Sequence, residues 1–94
     1  MSHFRFKEAD YYKLVSLIEK HGKILRDRST DLQSLIRRRE CWYIITKLYN
    51  TTSQYPCDMM NLKRMYGELR MKSRTKYINM LARIRDENLK KAEE

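Results

Sequence analysis

This chain contains very few of the residues that interrupt helices: two glycines and one proline among 94 residues. The residues that favour strands are not arranged as strands, because the β-branched residues are scattered and never alternate with polar ones. Leu, Lys, Arg, Glu and Met, which favour helices, are abundant. The composition therefore predicts an all-α fold, and the length predicts one domain with a single modest core.

Cysteine and histidine are also scarce. Cys41 and Cys57 stand sixteen residues apart without a C-x-x-C motif, and His3 and His21 lie at spacings that do not suit zinc. Two cysteines do not make a disulfide scaffold, so free thiols in a reducing compartment are expected. We expect neither a metal nor another cofactor.

Long apolar runs and catalytic signatures are both missing from the sequence. No apolar run approaches the roughly 20 residues that span a bilayer, and residues 1–7 lack the apolar core of a signal peptide. No Ser/His/Asp or Cys/His arrangement and no glycine-rich phosphate loop is present. The sequence therefore predicts a protein that is not an enzyme, does not enter a membrane and takes no small-molecule substrate.

Positive charge is abundant: the chain contains 21 Lys and Arg but only 12 Asp and Glu, for a net charge of +9. The net charge is +2 over residues 1–34, +3 over 35–57, +4 over 58–77 and zero over 78–94. This concentration in the middle of the chain favours an acidic partner, with DNA as the first candidate. The alternative is an ordinary solvated basic surface.

The spacing of apolar residues predicts two helices in the first half of the chain. The first runs from Glu8 to about Leu25 and is interrupted near Gly22. The second follows a polar loop, is capped by Thr30 or Asp31, and ends near Asn50. Its predicted inward stripe consists of Leu35, Trp42, Ile45 and Tyr49.

A third helix is predicted from Met59, with Asp58 as its cap and no clear end. Its periodicity continues past Tyr77, so one helix of roughly 45–50 Å is expected, with a projecting C-terminal half. We accordingly divide the chain into a tri-helical domain, residues 1–76, and a helical extension, residues 77–94. The extension is interpreted as a frayed tail or as a surface for a homodimer or protein partner, formed by Tyr77, Met80, Leu81 and Ile84.

Three blocks of sequence resemble the Myb/SANT-like DNA-binding domains of the zeste type, found in insect transcription factors and in the Apontic and fibrinogen-silencer-binding proteins. The matching residues are Phe6, Asp10 and Leu14-Val15-Ser16-Leu17-Ile18; Arg38, Trp42, Ile45 and Asn50; and Leu62-Lys63-Arg64-Met65-Tyr66-Gly67-Glu68-Leu69-Arg70. The resemblance covers about residues 6–74. Tyr66 replaces the usual Trp, and Lys7 stands where a capping Ser or Thr is common. The related MADF domains rank second, through Cys57 and the Leu69-Arg70 pair.

The resemblance implies a three-helix, helix-turn-helix bundle that binds double-stranded DNA sequence-specifically in a nuclear transcription or chromatin regulator, with its third helix in the major groove. Trp42, Tyr66, Leu17, Leu62 and Leu69 are then expected in the core. The alternative is a SANT-like protein-interaction module of a chromatin complex, which would use the stripe from Tyr77 to Ile84.

At 100° per residue, the side of the third helix opposite Leu62 carries the candidates for base contact. Arg64 suits guanine and Asn61 suits adenine. Gly67 either lets the helix approach DNA closely or is a tolerated weak spot of the helix. Glu68 either accepts a hydrogen bond from a cytosine amino group or forms an ion pair with Lys72. The predicted base-reading set is Met60, Asn61, Arg64, Gly67 and Met71.

Basic residues around this face are predicted to contact phosphates. They are Arg37, Arg38, Arg39, Lys63, Arg70, Lys72, Arg74 and Lys76. The run from Arg37 to Arg39 has two other interpretations, a nuclear-import patch and a solvated face.

Overall fold

The computed structural model describes residues 7–53 and 55–93, and within these ranges all regular structure is helical. The elements are α1 (Glu8–Lys20), α2 (Gly22–Leu25), α3 (Leu32–Thr51), α4 (Met59–Lys72) and α5 (Arg74–Glu93). The all-α prediction is confirmed, as is the interruption near Gly22. None of these helices is both long enough and apolar enough to cross a membrane. Phe6, which belongs to the first matching block, lies outside the described residues.

Aspartate side chains cap the first turns of α3 and α4. Asp31 Oδ2 accepts from the Ser34 N–H at 3.2 Å, and Asp58 Oδ1 accepts from the Asn61 N–H at 2.8 Å. Both caps agree with the sequence prediction, because a side-chain oxygen at this position satisfies an otherwise unpaired N–H of the first turn. At the start of α1, Asp10 Oδ2 accepts from the Lys7 N–H at 2.8 Å, which offsets the lack of a capping Ser or Thr.

The core lies between α1, α3 and α4, and is extended by α5. Leu62 and Leu69 are buried as predicted, but Leu17, Trp42 and Tyr66 are only partly buried and pack against the edge of the core. The largest fully buried side chains are Tyr49, Leu14, Ile45, Leu62, Ile84 and Val15.

The inward face of α3 differs from the predicted stripe. Leu35 is 48% exposed, whereas Cys41, one turn before Ile45, is buried. Apolar residues occur all around this helix, so periodicity alone does not select a face. Several large apolar side chains consequently lie outward, and they are Leu32, Leu35, Ile36, Tyr43, Ile44 and Leu48.

The prediction of one long third helix is wrong, because the chain leaves helical geometry at Ser73, with φ −132° and ψ 51°. The new direction lets α5 return along α1, where Met80 and Ile84 pack with Val15 and Leu69. Met80 is 3% exposed and Ile84 is 2% exposed.

The predicted partner surface of Tyr77, Met80, Leu81 and Ile84 is therefore wrong as well. Met80 and Ile84 are buried, and Tyr77 and Leu81 pack partly buried against the same cluster. Burying this stripe within the chain removes apolar area from water without a partner. The division of the chain after residue 76 stays a prediction.

Polar contacts also fasten α5 to α1. Arg85 Nε lies 2.9 Å from Glu19 Oε1, and the Tyr12 hydroxyl donates to Glu87 Oε2 at 2.8 Å. The Arg83 guanidinium lies 4.9 Å from the centre of the Tyr12 ring. The extension thus packs along the bundle at several points.

The start of α4 is positioned by a side-chain amide at the end of α3. Asn50 Nδ2 donates to the Cys57 carbonyl at 2.8 Å, and Asn50 Oδ1 accepts from the Cys57 N–H at 2.8 Å. Both backbone groups of Cys57 are thereby satisfied, so the residue immediately before the α4 cap is held from two sides.

Two tyrosines make the free energy of unfolding depend on pH in the alkaline range. Burial raises the pKa of Tyr49 to about 12 and is the main cause that raises the pKa of Tyr66 to about 12. In the unfolded chain a tyrosine titrates near pH ~10. Because the folded-state pKa is raised, this contribution to stability is complete below pH ~10 and is lost as the pH rises through the folded pKa.

Urea unfolding measured between pH 8 and 11.5 is expected to show a falling free energy of unfolding above pH ~10. Lysines also titrate in this range, so the Tyr49→Phe variant serves as the comparison and should show a shallower fall. Equal slopes for the two proteins would contradict this origin of the pH dependence.

Candidate nucleic-acid interface

Four of the five predicted base-reading residues on the outer face of α4 are exposed, and the fifth, Gly67, is half-buried. Leu62, Met65 and Leu69 hold the inner face in the core, so the opposite side chains extend into solvent. Met60 is 80% exposed and Met71 is 86% exposed. Asn61 and Arg64 are exposed as well. The structure therefore places the predicted base-reading residues on the side of α4 that faces away from the core.

Gly67 sits in the middle of this face, and no packing requirement explains it. A Cβ atom built on Gly67 would meet nothing within 4 Å outside its own helical surroundings. The glycine forms one wall of an open hollow of about 610 Å³ in the elbow between α4 and α5. The other residues around this hollow are Arg70, Met71, Arg74, Tyr77 and Ile78.

Arg64 and Glu68 form an ion pair on the exposed side of α4. Arg64 Nε donates to Glu68 Oε1 at 3.3 Å. The pairing of Glu68 with Lys72, one of the two sequence interpretations, is corrected, because Glu68 pairs with Arg64 instead. A carboxylate at Nε leaves the two terminal nitrogens of Arg64 available, and these form the planar fork that recognises paired acceptors.

Two basic residues of α4 are held against aromatic rings. Lys63 Nζ lies 5.7 Å from the centre of the Trp42 ring, and the Arg70 guanidinium carbon lies 5.4 Å from the centre of the Tyr66 ring. Lys72, Arg74 and Lys76 are exposed near the elbow. Within the described ranges none of these five forms an ion pair. Their charge is therefore not neutralised inside this part of the chain.

The arginines of α3 do not share one surface. Successive helical residues point about 100° apart, so Arg37, Arg38 and Arg39 leave the helix in three directions. Arg38 is partly buried and its Nη1 donates to the Asp27 carbonyl, which ties the loop after α2 to α3. Arg37 and Arg39 are exposed.

Ile78 is a residue of this surface that sequence reasoning missed. It is 51% exposed and lines the elbow beside Gly67 and Met71. The assumption of a continuous helix placed it far from Gly67, whereas the bend at Ser73 brings the two together. The prediction that Arg74 belongs to the third helix is corrected for the same reason, because Arg74 begins α5.

Residues 3–81 match the family model of the Myb/SANT-like DNA-binding domain, which is most of the chain. The chain belongs to this family. The match spans α1 to α4 and the first turns of α5. Comparison with curated proteins and with solved structures gave no significant match. The zeste type and the MADF alternative are not distinguished and stay predictions.

The Myb/SANT-like domain has no evident metal centre in its described part. Across residues 7–53 and 55–93, no three His, Cys, Asp or Glu side chains gather as ligands. Cys41 and Cys57 are free and buried, and burial raises the pKa of both thiols.

Proposed function

We propose that this Myb/SANT-like domain binds double-stranded DNA sequence-specifically in a nuclear transcription or chromatin regulator, with α4 in the major groove. The observation that carries the proposal is the division of α4 into a buried inner face and an outer face that is exposed at Arg64 and Met71 on either side of the half-buried Gly67. A helix held in this way presents base-reading side chains without their being needed for the core. The family supports DNA as the partner.

Base readout centres on Arg64 and Asn61. The terminal nitrogens of Arg64 donate to O6 and N7 of guanine, while Glu68 holds Nε and limits the directions of the side chain. Asn61 pairs with N6 and N7 of adenine, and Met60 and Met71 contact thymine methyl groups. Each polar pairing contributes about 1–3 kcal/mol of discrimination.

Phosphate contacts set the register of the domain on the duplex. Lys63 and Arg70 are held against Trp42 and Tyr66, which reduces the side-chain entropy lost on binding. Lys72, Arg74 and Lys76 add charge around the elbow, and Arg37 and Arg39 add charge from α3. Arg38 can contact a phosphate only if its hydrogen bond to the Asp27 carbonyl breaks.

The Arg64→Ala variant tests base readout. Wild-type and variant domains are each incubated with a randomised duplex pool, and the bound duplexes are sequenced. The wild type should enrich one motif, and the variant should bind that motif about 5–150 times more weakly, from the loss of about 1–3 kcal/mol. Arg83→Ala removes the same charge from α5 and is the matched control. Equal enrichment by wild type and Arg64→Ala would refute the assigned readout.

The salt dependence of binding tests the phosphate contacts. If six to eight cations neutralise phosphates, log K should fall with log salt at a slope of about −5 to −7. Fluorescence anisotropy with one duplex between 50 and 300 mM NaCl measures this slope. Arg74→Ala should make it shallower by about 1. A wild-type slope near −2 would mean that most of these cations do not reach the duplex.

Protein interaction is a second candidate function, and the outer face of α3 favours it. Leu32 is 72% exposed and Tyr43 is 57% exposed, beside the exposed Ile36. The charged neighbours Arg37, Arg39 and Lys47 suit an acidic amphipathic helix as the partner. If the pool gives no motif and salt abolishes binding, resonance shifts confined to α3 on adding an acidic amphipathic peptide would support this function.

A further inference from the structure

A cleft of about 400 Å³ lies where all five helices approach one another, to one side of the outer face of α4. Its aromatic wall is formed by Trp42, Tyr66 and Tyr77. The centres of the Trp42 and Tyr66 rings are 6.3 Å apart, and Tyr77 meets Tyr66 edge-on at 5.8 Å. The hydroxyls of Tyr66 and Tyr77 lie 3.0 Å apart, which fixes the two rings relative to each other.

The charges around the cleft do not balance. Glu19 is the acidic residue of the lining, and it already pairs with Arg85 at 2.9 Å and with Arg26 at 3.8 Å. Arg28 and Arg70 also line the cleft, and neither forms an ion pair with a described carboxylate. Two positive charges thus remain uncompensated beside a wall of aromatic rings.

Contacts within the chain hold two arginines of the cleft lining, Arg70 and Arg26. The Arg70 guanidinium lies over the Tyr66 ring, an arrangement that leaves its N–H groups directed outward from the edge of the plane. Arg26, another residue of the lining, folds back over α2, and its Nε donates to the Gly22 carbonyl at 3.1 Å. A side chain at position 22 would collide with this guanidinium, so the glycine permits the arrangement.

We propose that this cleft binds a single nucleotide unit, with its phosphate between Arg28 and Arg70 and its base along the wall of Trp42 and Tyr66. A phosphate monoester carries nearly two negative charges at neutral pH, which match the two uncompensated arginines. The volume lies within the range of about 300–1,000 Å³ found for ligand pockets. The unit comes either from a free nucleotide or from the unpaired nucleotide at the 5′-phosphorylated end of a nucleic acid strand, and both present a base and a phosphate monoester.

Trp42 is the single tryptophan of the chain, so its fluorescence reports directly on the cleft. The domain is titrated with AMP and GMP at constant ionic strength, and with adenosine and inorganic phosphate for comparison. A mononucleotide should give a saturable change, with adenosine and phosphate each binding at least tenfold more weakly. Arg28→Ala and Arg70→Ala should each raise the Kd at least fivefold. Lys91→Ala removes one positive charge outside the cleft and should leave the Kd unchanged.

The source of the nucleotide is tested with a single-stranded oligonucleotide carrying a 5′ phosphate. Tighter binding than AMP, with the same dependence on Arg28, identifies the 5′-phosphorylated end of a nucleic acid strand, whereas weaker binding identifies the free nucleotide. No saturable change with any nucleotide, or an equal loss in the Lys91→Ala variant, would overturn the proposal. Arg64→Ala should not alter nucleotide binding, so this outcome is separate from that of duplex recognition.

Discussion

Replacing Ile84 with alanine is expected to lower the free energy of unfolding by about 2–5 kcal/mol. Ile84 is 2% exposed and packs with Val15 and Leu69, so truncation leaves a cavity that the surrounding helices fill only in part. For a small domain a loss of this size is a large share of the total stability. Urea unfolding followed by circular dichroism measures it.

The matched control for Ile84 lies on the same helix. Leu89 is 63% exposed, so Leu89→Ala should change the free energy of unfolding by no more than about 0.5 kcal/mol. If both substitutions left stability unchanged, α5 would contribute nothing to the fold and would behave as the projecting tail that the sequence had predicted. A large loss of unfolding free energy in Ile84→Ala, but not in Leu89→Ala, would show that α5 is an integral part of the bundle.

Replacing Gly67 with leucine is expected to weaken binding to the selected DNA motif by roughly 100-fold or more, while the domain stays folded. A leucine at the centre of the outer face would hold α4 away from the base edges. Loss of two base contacts at about 1–3 kcal/mol each accounts for this size. Nothing within 4 Å opposes the first added carbon, and leucine favours a helix more than glycine does, so we expect the domain to stay folded.

The Gly67→Ala variant separates stability from binding. Alanine in a helix interior is more favourable than glycine by about 0.5–1 kcal/mol, so this variant should unfold at a higher urea concentration. Its DNA affinity should nevertheless fall. As a control for added volume, Ala82→Leu adds nearly as much as Gly67→Leu, at an exposed position of α5, and should leave DNA binding unaltered. A stabilised Gly67→Ala protein with wild-type affinity would show that Gly67 does not approach DNA.

Local features of the sequence were sufficient to predict several parts of the fold. Asp31 and Asp58 cap helices because a short acidic side chain satisfies the N–H groups two or three residues ahead, which needs no distant contact. The inner and outer faces of α4 followed from helical periodicity, because only one side of that helix carries Leu62, Met65 and Leu69.

Periodicity failed where apolar residues lay on more than one side of a helix. On α3 both Leu35 and Cys41 fitted an inward stripe, and packing against α1 and α4 selected Cys41. The sequence alone had no means to choose, because burial of either set would satisfy the same local pattern.

Sequence by itself determined the helical class, the capped helix starts and the basic outer face of α4, since each depends on residues close together in the chain. Only the tertiary structure decided that the chain bends at Ser73 and buries Met80 and Ile84 against α1. It also decided that Arg28 and Arg70 share one cleft. These outcomes depend on how helices distant in sequence bury apolar area and pair charges when they meet, and a one-dimensional pattern does not record those distances.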